Sequence, residues 1–370
     1  MGFDRLTTWH RRNGAACLAL LLAHAALITA GYALGDGIPL PDEIGRLLTG
    51  YPGVITATAG LVLLVAVAVT SVVAVRRRLR YETWYFIHLY AYLGIALAFS
   101  HQLASGTDFI GRPGARAYWY ALYGATAAVI LVYRLGVPIA RSLRHRLRVV
   151  RVVEEGPGVV SIEIGGVRLE RLRARSGQFF TWRFLTRRHW WEAHPFSLSA
   201  APDGRRLRIT VKAVGDFTAS LRDVTPGTRV VAEGPFGSFT AGGRRRPRVA
   251  LIAGGVGITP IRALLEDMPG GPGDIAVVYR ATAPVDLILR EELEELARRR
   301  GAELHYVVGE RNGLPTGALL SPEHLERLVP DIAERDVYVC GPPAMTDALR
   351  VTLRRSGVAP GHIVTERFAY

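Results

Sequence analysis

Four histidines carry the most informative spacing in the sequence. His10 and His24 are 14 residues apart, and His88 and His101 are 13 apart. At helical rise each interval covers about 20 Å, most of the thickness of a bilayer. His24, His88 and His101 lie in or at the ends of long apolar runs, where an ionisable side chain is costly and is a functional candidate by default. His10 stands just ahead of the first run. If the first and third runs point the same way, His10 shares a depth with His88 and His24 with His101. Two bis-imidazole sites stacked across a membrane follow, and paired axial histidines are the ligand set of a b-type haem. Helical phase is a stricter condition: 14 residues return to within about 40° of one face, whereas 13 miss by about 140°. The second pair therefore needs a distorted helix, for which Gly94 offers a place, or haems approached from different sides. The competing reading is four unrelated histidines, two of them interfacial and bonded to backbone.

Such ligands need membrane helices to hold them. Residues 15–34, 53–75, 83–101 and 117–137 are each long and apolar enough to cross the hydrocarbon, giving four expected spans within a transmembrane haem domain at 1–143. The first run is not a cleaved leader, because no convincing cleavage site follows it and more spans do. Arg5, Arg11 and Arg12 precede the first span, Arg76, Arg77, Arg78 and Arg80 lie between the second and third, and Arg141, Arg144, Arg146 and Arg148 follow the fourth. The other two loops hold Asp36, Asp42, Glu43 and Asp108. The positive-inside rule then puts both termini and everything after the spans in the cytoplasm, at a cell membrane. A net charge of +14 on 370 residues raises nucleic acid as a partner, but all but one of the 46 basic residues are Arg, spread without any nucleic-acid motif, so none is expected. Two cysteines, Cys17 and Cys340, are too few for a zinc or iron–sulfur site and too differently placed for a disulfide.

Residues 144–243 change character. Short β-rich runs at 147–153, 177–184, 195–200, 208–214 and 229–233, separated by Gly and Pro, predict a small antiparallel β-barrel. Within it stands His194-Pro195-Phe196-Ser197, where an aromatic ring can stack on an isoalloxazine and a hydroxyl can bond the flavin edge near N5. Gly215-Asp216-Phe217-Thr218 opens a short helix whose N–H groups and Thr218 hydroxyl suit a pyrophosphate. Each string alone is also compatible with ordinary strand starts and turns.

Residues 244–370 alternate strand and helix, as a doubly wound α/β domain does: 248–253, a helix to 268, 275–279, 286–300, 303–308, 337–339 and 344–355. The first strand runs into Gly254-Gly255-Val256-Gly257-Ile258-Thr259-Pro260, a junction whose glycines let backbone approach a dinucleotide pyrophosphate. A second turn, Cys340-Gly341-Pro342, ends a later strand at the same edge and puts a thiol within reach of a nicotinamide ring, or simply a small buried residue before a turn. Arg280 and Arg311 follow the next two strands and suit a ribose 2′-phosphate, favouring NADPH over NADH.

Together these residues resemble the ferric reductase and NADPH oxidase superfamily over almost the whole chain. The HPFS, EGPFG, GGVGITP and VCGPP strings stand in the family's order, and the 14 and 13 histidine spacings match its haem helices. The resemblance implies an inner haem on His10 and His88 and an outer one on His24 and His101. It implies Phe196 flanking FAD with Ser197 near N5, and Cys340 placing the nicotinamide. The chain end, Glu366-Arg367-Phe368-Ala369-Tyr370, looks like the family's aromatic terminus, with Phe368 covering the second flavin face. The family's bundle has six spans and four are legible here, the two lacking being those ahead of the first histidine helix. Either the reading frame begins late or the bundle is reduced.

The implied activity is electron transfer from NAD(P)H through FAD and haem to an extracytoplasmic acceptor, ferric iron or a chelate of it. The rivals are superoxide formation from oxygen, relay to a partner protein, and a flavin reductase for which the spans are only an anchor.

Overall fold

The computed structural model describes residues 3–72, 81–105, 109, 111–309 and 320–368, and divides into two compact units, Met1–Tyr133 and Arg134–Tyr370. The first unit is helical: α1 (Phe3–Asp36), α2 (Leu40–Gly50), α3 (Val54–Ser71), α4 (Tyr81–Ser105) and α5 (Pro113–Leu131). Large apolar side chains point outward along these helices, with Leu20, Leu27 and Leu34 all more than 70% exposed. Water does not tolerate such a surface, whereas lipid does. Three stretches, Leu6–Asp36, Val54–Ser71 and Pro113–His145, are long and apolar enough to cross a membrane. The expected third span lies in α4, which has the length and carries two histidines and four tyrosines but is not one of these three stretches. The acidic loop expected at 36–50 contains α2, whose Leu40, Ile44, Leu47 and Leu48 follow a helical period with Asp42 and Glu43 in the first turn.

Helices α3 and α4 run antiparallel in close contact. A Cβ at Gly60 would sit 2.5 Å from Gly94 O and one at Gly94 would sit 2.9 Å from Gly60 O, so the two glycines let the backbones meet. Gly94 therefore serves packing, and α4 is one unbroken helix through it. The start of α3 meets the end of α4 through the Thr56–Ser100 hydroxyl pair at 3.1 Å. Aromatic contacts join α4 to α5, with Phe99 and Tyr123 ring centroids 4.3 Å apart.

A π-helical turn (Val132–Gly136) spans the unit boundary, and the second unit continues with α6 (Val137–His145) and a barrel of two three-stranded antiparallel sheets. One has the order β1 (Arg148–Gly156), β2 (Val159–Gly165), β5 (Arg206–Lys212); the other β4 (His194–Ser197), β3 (Phe179–Phe184), β6 (Val230–Phe236). Bridges Leu198↔Ile209 and Arg148↔Arg229 join the sheets at their edges. The alternating inward side chains of β2, β3 and β5 (Ile162, Ile164, Phe180, Trp182, Phe184, Ile209) fill the interior. Strand β2 was not among the expected five; its run Val159–Ile164 is buried almost continuously and shows little alternation.

The last domain is a five-stranded parallel sheet of order β11-β10-β7-β8-β9, made from β7 (Val249–Gly254), β8 (Ile275–Ala281), β9 (Glu303–Val308), β10 (Asp336–Gly341) and β11 (Ile363–Arg367). Helices α8 (Ile258–Asp267), α9 (Arg290–Arg300), α10 (Pro322–Leu328) and α11 (Pro343–Arg355) cover it, after the five-residue α7 (Asp216–Ser220) of the barrel. Barrel and sheet share a seam. Phe239 packs on Tyr338, whose hydroxyl donates to Thr240 O at 3.2 Å, and a Cβ at Gly177 would overlap Phe239 O. Arg208 and Arg262 both clasp Glu292 at 2.7–2.9 Å, tying β5 to α8 and α9.

Candidate functional site

In the helical unit the His10 and His88 rings lie edge to face with centroids 5.9 Å apart. Histidine nitrogens bind a metal at about 2 Å, so two imidazoles on opposite sides of one ion have centroids about 6 Å apart. His24 lies within electrostatic range of His101, whose Nδ1 is buried and bonded to no protein atom. Because His10 meets His88 and His24 lies within electrostatic range of His101, α1 and α4 run in the same direction. Helix α4 is one α-helix through both histidines, so they differ in helical phase by the 13-residue offset. The His88 Nδ1 is 3.3 Å from Ser71 Oγ, and Trp84 lies 5.0 Å from its ring. Neither Ser71 nor Trp84 was legible as a site residue, since each is an ordinary helix residue until α3 and α4 pack. Arg76, Arg77, Arg78, Arg80 and Asp108, used above to orient the spans, lie outside the described residues.

In the barrel, Pro195 is exposed and Phe196 half-buried on β4, and Ser197 is buried opposite Phe179. The His194 ring stacks on Phe217 at 4.0 Å, and its Nε2 is 3.3 Å from Glu192. Phe217 is itself part of the barrel core, and Phe196 lies nearly parallel to it at 6.5 Å. The Thr218 hydroxyl organises its own turn. It accepts the Val214 and Gly215 N–H groups at 2.9 and 3.0 Å and donates to Gly215 O. Both polar groups of the Gly215 backbone are used in this turn, and the space a Cβ would take at Gly215 is open to 4 Å. Arg183, on β3 beside β4, has a buried Nε without a hydrogen-bond partner among the described residues. A single arginine in an Arg-rich chain carries no sequence pattern that would mark it. An aromatic shelf with a spare guanidinium nitrogen fits a planar ring carrying phosphates.

The sheet order sets the nicotinamide side. The chain moves outward from β7 through β8 to β9, then returns to the other side of β7 as β10, so the crevice of a doubly wound sheet falls between β7 and β10. Those strands end in the two glycine turns. Gly257 lets them touch: a Cβ there would lie 2.2 Å from Cys340 O. Gly255 has φ +56° and open space, so its backbone is free to approach a ligand. Thr259 and Pro260 are buried in the first turn of α8, the Thr259 hydroxyl donating to Val256 O at 3.0 Å. Gly341 and Pro342 follow Cys340, whose thiol is fully buried and pushed well up by that burial, with Glu366 adding to the effect. It stays protonated at neutral pH, which suits packing or hydrogen bonding and not nucleophilic attack. Strand β11, absent from the expected pattern, pairs with β10 and brings the half-buried Phe368 to Gly341, its N–H 3.5 Å from Gly341 O. Arg280 lies level with Gly254 in the sheet and reaches Gly309 O at 3.2 Å. Arg311, Ala369 and Tyr370 lie outside the described residues.

A flavin-type barrel seamed to a doubly wound nucleotide domain, in one chain with apolar helices, defines an FAD-dependent NAD(P)H oxidoreductase. Residues 1–99 match the ferric reductase like transmembrane component, 146–240 an FAD-binding domain and 251–350 an oxidoreductase NAD-binding domain. The chain thus has the architecture of the ferric reductase and NADPH oxidase superfamily. Among curated proteins it is 28% identical over 239 residues to the glycine betaine monooxygenase reductase subunit of Chromohalobacter salexigens, covering 61% of this chain and 64% of that one. It is 31% identical over 234 residues to the ferredoxin reductase component of 3-ketosteroid-9-alpha-monooxygenase of Mycolicibacterium smegmatis, covering 60% and 65%. The chain spans just under two thirds of the length of these relatives. In fold it is similar to the flavohemoglobin of Malassezia yamatoensis, with TM-score 0.51 and 18% identity over 94% of this chain and 85% of that one.

Proposed function

We propose that the chain carries electrons from cytoplasmic NAD(P)H, by way of FAD and two b-type haems, to an acceptor outside the cell membrane, ferric iron or a chelate of it. The observation that supports this most strongly is the pairing of His10 with His88 in the same chain as a nicotinamide and flavin module. When bound, flavin supplies the change from two-electron to one-electron transfer and haem the relay across lipid.

The chain's own residues bind and orient. Gly254, Gly255 and Gly257 admit the dinucleotide backbone, Arg280 meets a 2′-phosphate, and Cys340 packs beside the nicotinamide. Phe196 and Phe368 supply rings for the two flavin faces, and Ser197 supplies the hydroxyl near its edge. His10, His24, His88 and His101 would hold the haem iron through imidazole nitrogens, and haem so held would supply one-electron relay. Four spans with both termini and the nucleotide domains in the cytoplasm agree with the Arg-rich flanks of the apolar runs. The domain limits 1–143, 144–243 and 244–370 follow the same division of labour.

The test is an absorption spectrum of detergent-purified protein before and after NADPH. Flavin bleaching followed by a reduced b-haem band is the expected result; a yellow protein without haem bands overturns the proposal. The curated relatives favour a second reading, because they are reductase components of oxygenases. In that case the acceptor is a partner protein, and purified chain reduces ferric chelates only when the partner is added.

A further inference from the structure

At the end of α3 the Ser71 hydroxyl sits among three groups. Its Oγ is 2.7 Å from Val67 O, 3.2 Å from Trp84 Nε1 and 3.3 Å from His88 Nδ1. A hydroxyl has one proton and two lone pairs, and an indole N–H can only donate. The proton belongs on Val67 O, the nearest acceptor, in the bond back to the carbonyl four residues earlier. Trp84 N–H takes one lone pair. Among the described residues the remaining lone pair has one neighbour, His88 Nδ1, and can bond it only if that nitrogen carries the hydrogen. The count leaves His88 as the Nδ1–H tautomer with a bare lone pair on Nε2, the state in which a neutral imidazole ligates metal. Trp84, with ring centroid 5.0 Å away and tilted 33°, also limits rotation of the imidazole.

We propose that Ser71 is a positioning residue for the inner redox centre. It sets the His88 tautomer and, by drawing on the Nδ1–H bond, makes Nε2 a stronger donor that favours ferric over ferrous iron. Outer hydrogen bonds to ligating histidines act in this way, and losing one typically weakens metal affinity about 10-fold to 100-fold. The inference rests on the haem reading above and concerns only how one ligand is held.

The experiment uses the full chain purified in detergent, with haem content measured by pyridine haemochrome and midpoint potentials by redox titration. His88→Ala identifies the inner-haem component by its loss. Ser71→Ala should raise that component's potential, a tenfold loss of ferric preference corresponding to about 59 mV for one electron, and should leave the outer component unmoved. Ser71→Thr keeps the hydroxyl and should titrate as wild type. Trp84→Phe keeps an aromatic face, removes a donor competing for the same oxygen, and should not raise the potential. Loss of the inner haem from Ser71→Ala with retention in Ser71→Thr is the same result in stronger form. An unchanged inner potential in Ser71→Ala, or an equal rise in Ser71→Thr or Trp84→Phe, overturns the assignment. A wild-type protein without haem instead overturns the proposed function, so the two failures are distinguishable.

Discussion

Alanine substitutions along the first glycine turn separate three physical demands that the sequence presents as one motif. At Gly257 an added Cβ would lie 2.2 Å from Cys340 O, 2.6 Å from Cys340 C and 3.0 Å from Gly341 Cα. All three are backbone atoms of a strand buried between neighbours, so nothing there retreats easily. Overpacking of this kind costs about 1–3 kcal/mol, and a backbone clash belongs at the upper end. At Gly254 the nearest atom is Met345 Sδ at 2.3 Å, the end of a thioether that can swing away, so less is lost. At Gly255 there is open space, and the penalty is the positive φ alone, about 1–2 kcal/mol. For a unit of this size 1 kcal/mol moves Tm by about 2–4 °C, so Gly257→Ala should melt about 6–12 °C below wild type, with the other two nearer to it. The assay is thermal release of flavin fluorescence from the full chain, with the KM for NADPH measured against ferricyanide. Gly257→Ala should also raise that KM, because the crevice between β7 and β10 is pried open. If Gly257→Ala melts with wild type while Gly254→Ala falls furthest, the account of this turn is wrong.

Three further outcomes follow from the same geometry. Arg280→Ala should raise the KM for NADPH about tenfold, the worth of one charge-assisted contact, and leave that for NADH unchanged; equal rises would remove the 2′-phosphate role. Phe368→Ala removes a ring proposed to compete with nicotinamide for the flavin face, so the KM for NAD(P)H should fall; no change would take Phe368 out of that role. The Glu292 carboxyl is pushed up by burial but held below its usual range overall by hydrogen bonds from Arg208 and the charge of Arg262. Its folded value lies below the unfolded one, so its stabilisation is present above about pH 4.3 and is lost as pH falls through the depressed value. Denaturant midpoints of wild type and Glu292→Gln should differ at pH 7 and converge in acid; a gap independent of pH would refute the linkage.

The fold class was legible because each part has its own periodicity. Apolar runs, a change to short Gly- and Pro-bounded strands, and strand–helix alternation describe three different ways of burying surface. Strand β2 escaped because both its faces are covered, and β11 because five residues near the chain end pair only once β10 exists. Helix α4 has the length of a span but is not among the three stretches apolar enough to cross, and it carries two histidines and four tyrosines. The Thr218 hydroxyl, assigned to a phosphate from its place at a helix start, is used within its own turn.

What the sequence determined by itself was the inventory and its spacing: four histidines at 14 and 13 residues, two glycine turns, and the HPFS string, each local and each readable from helical rise or turn chemistry. That His10 meets His88 was decided only when α1 came beside α4, and that Ser71 completes the surroundings of His88 only when α3 and α4 closed on Gly60 and Gly94. Contacts between residues far apart in the chain depend on how helices pack, and helical packing depends on all the side chains between them.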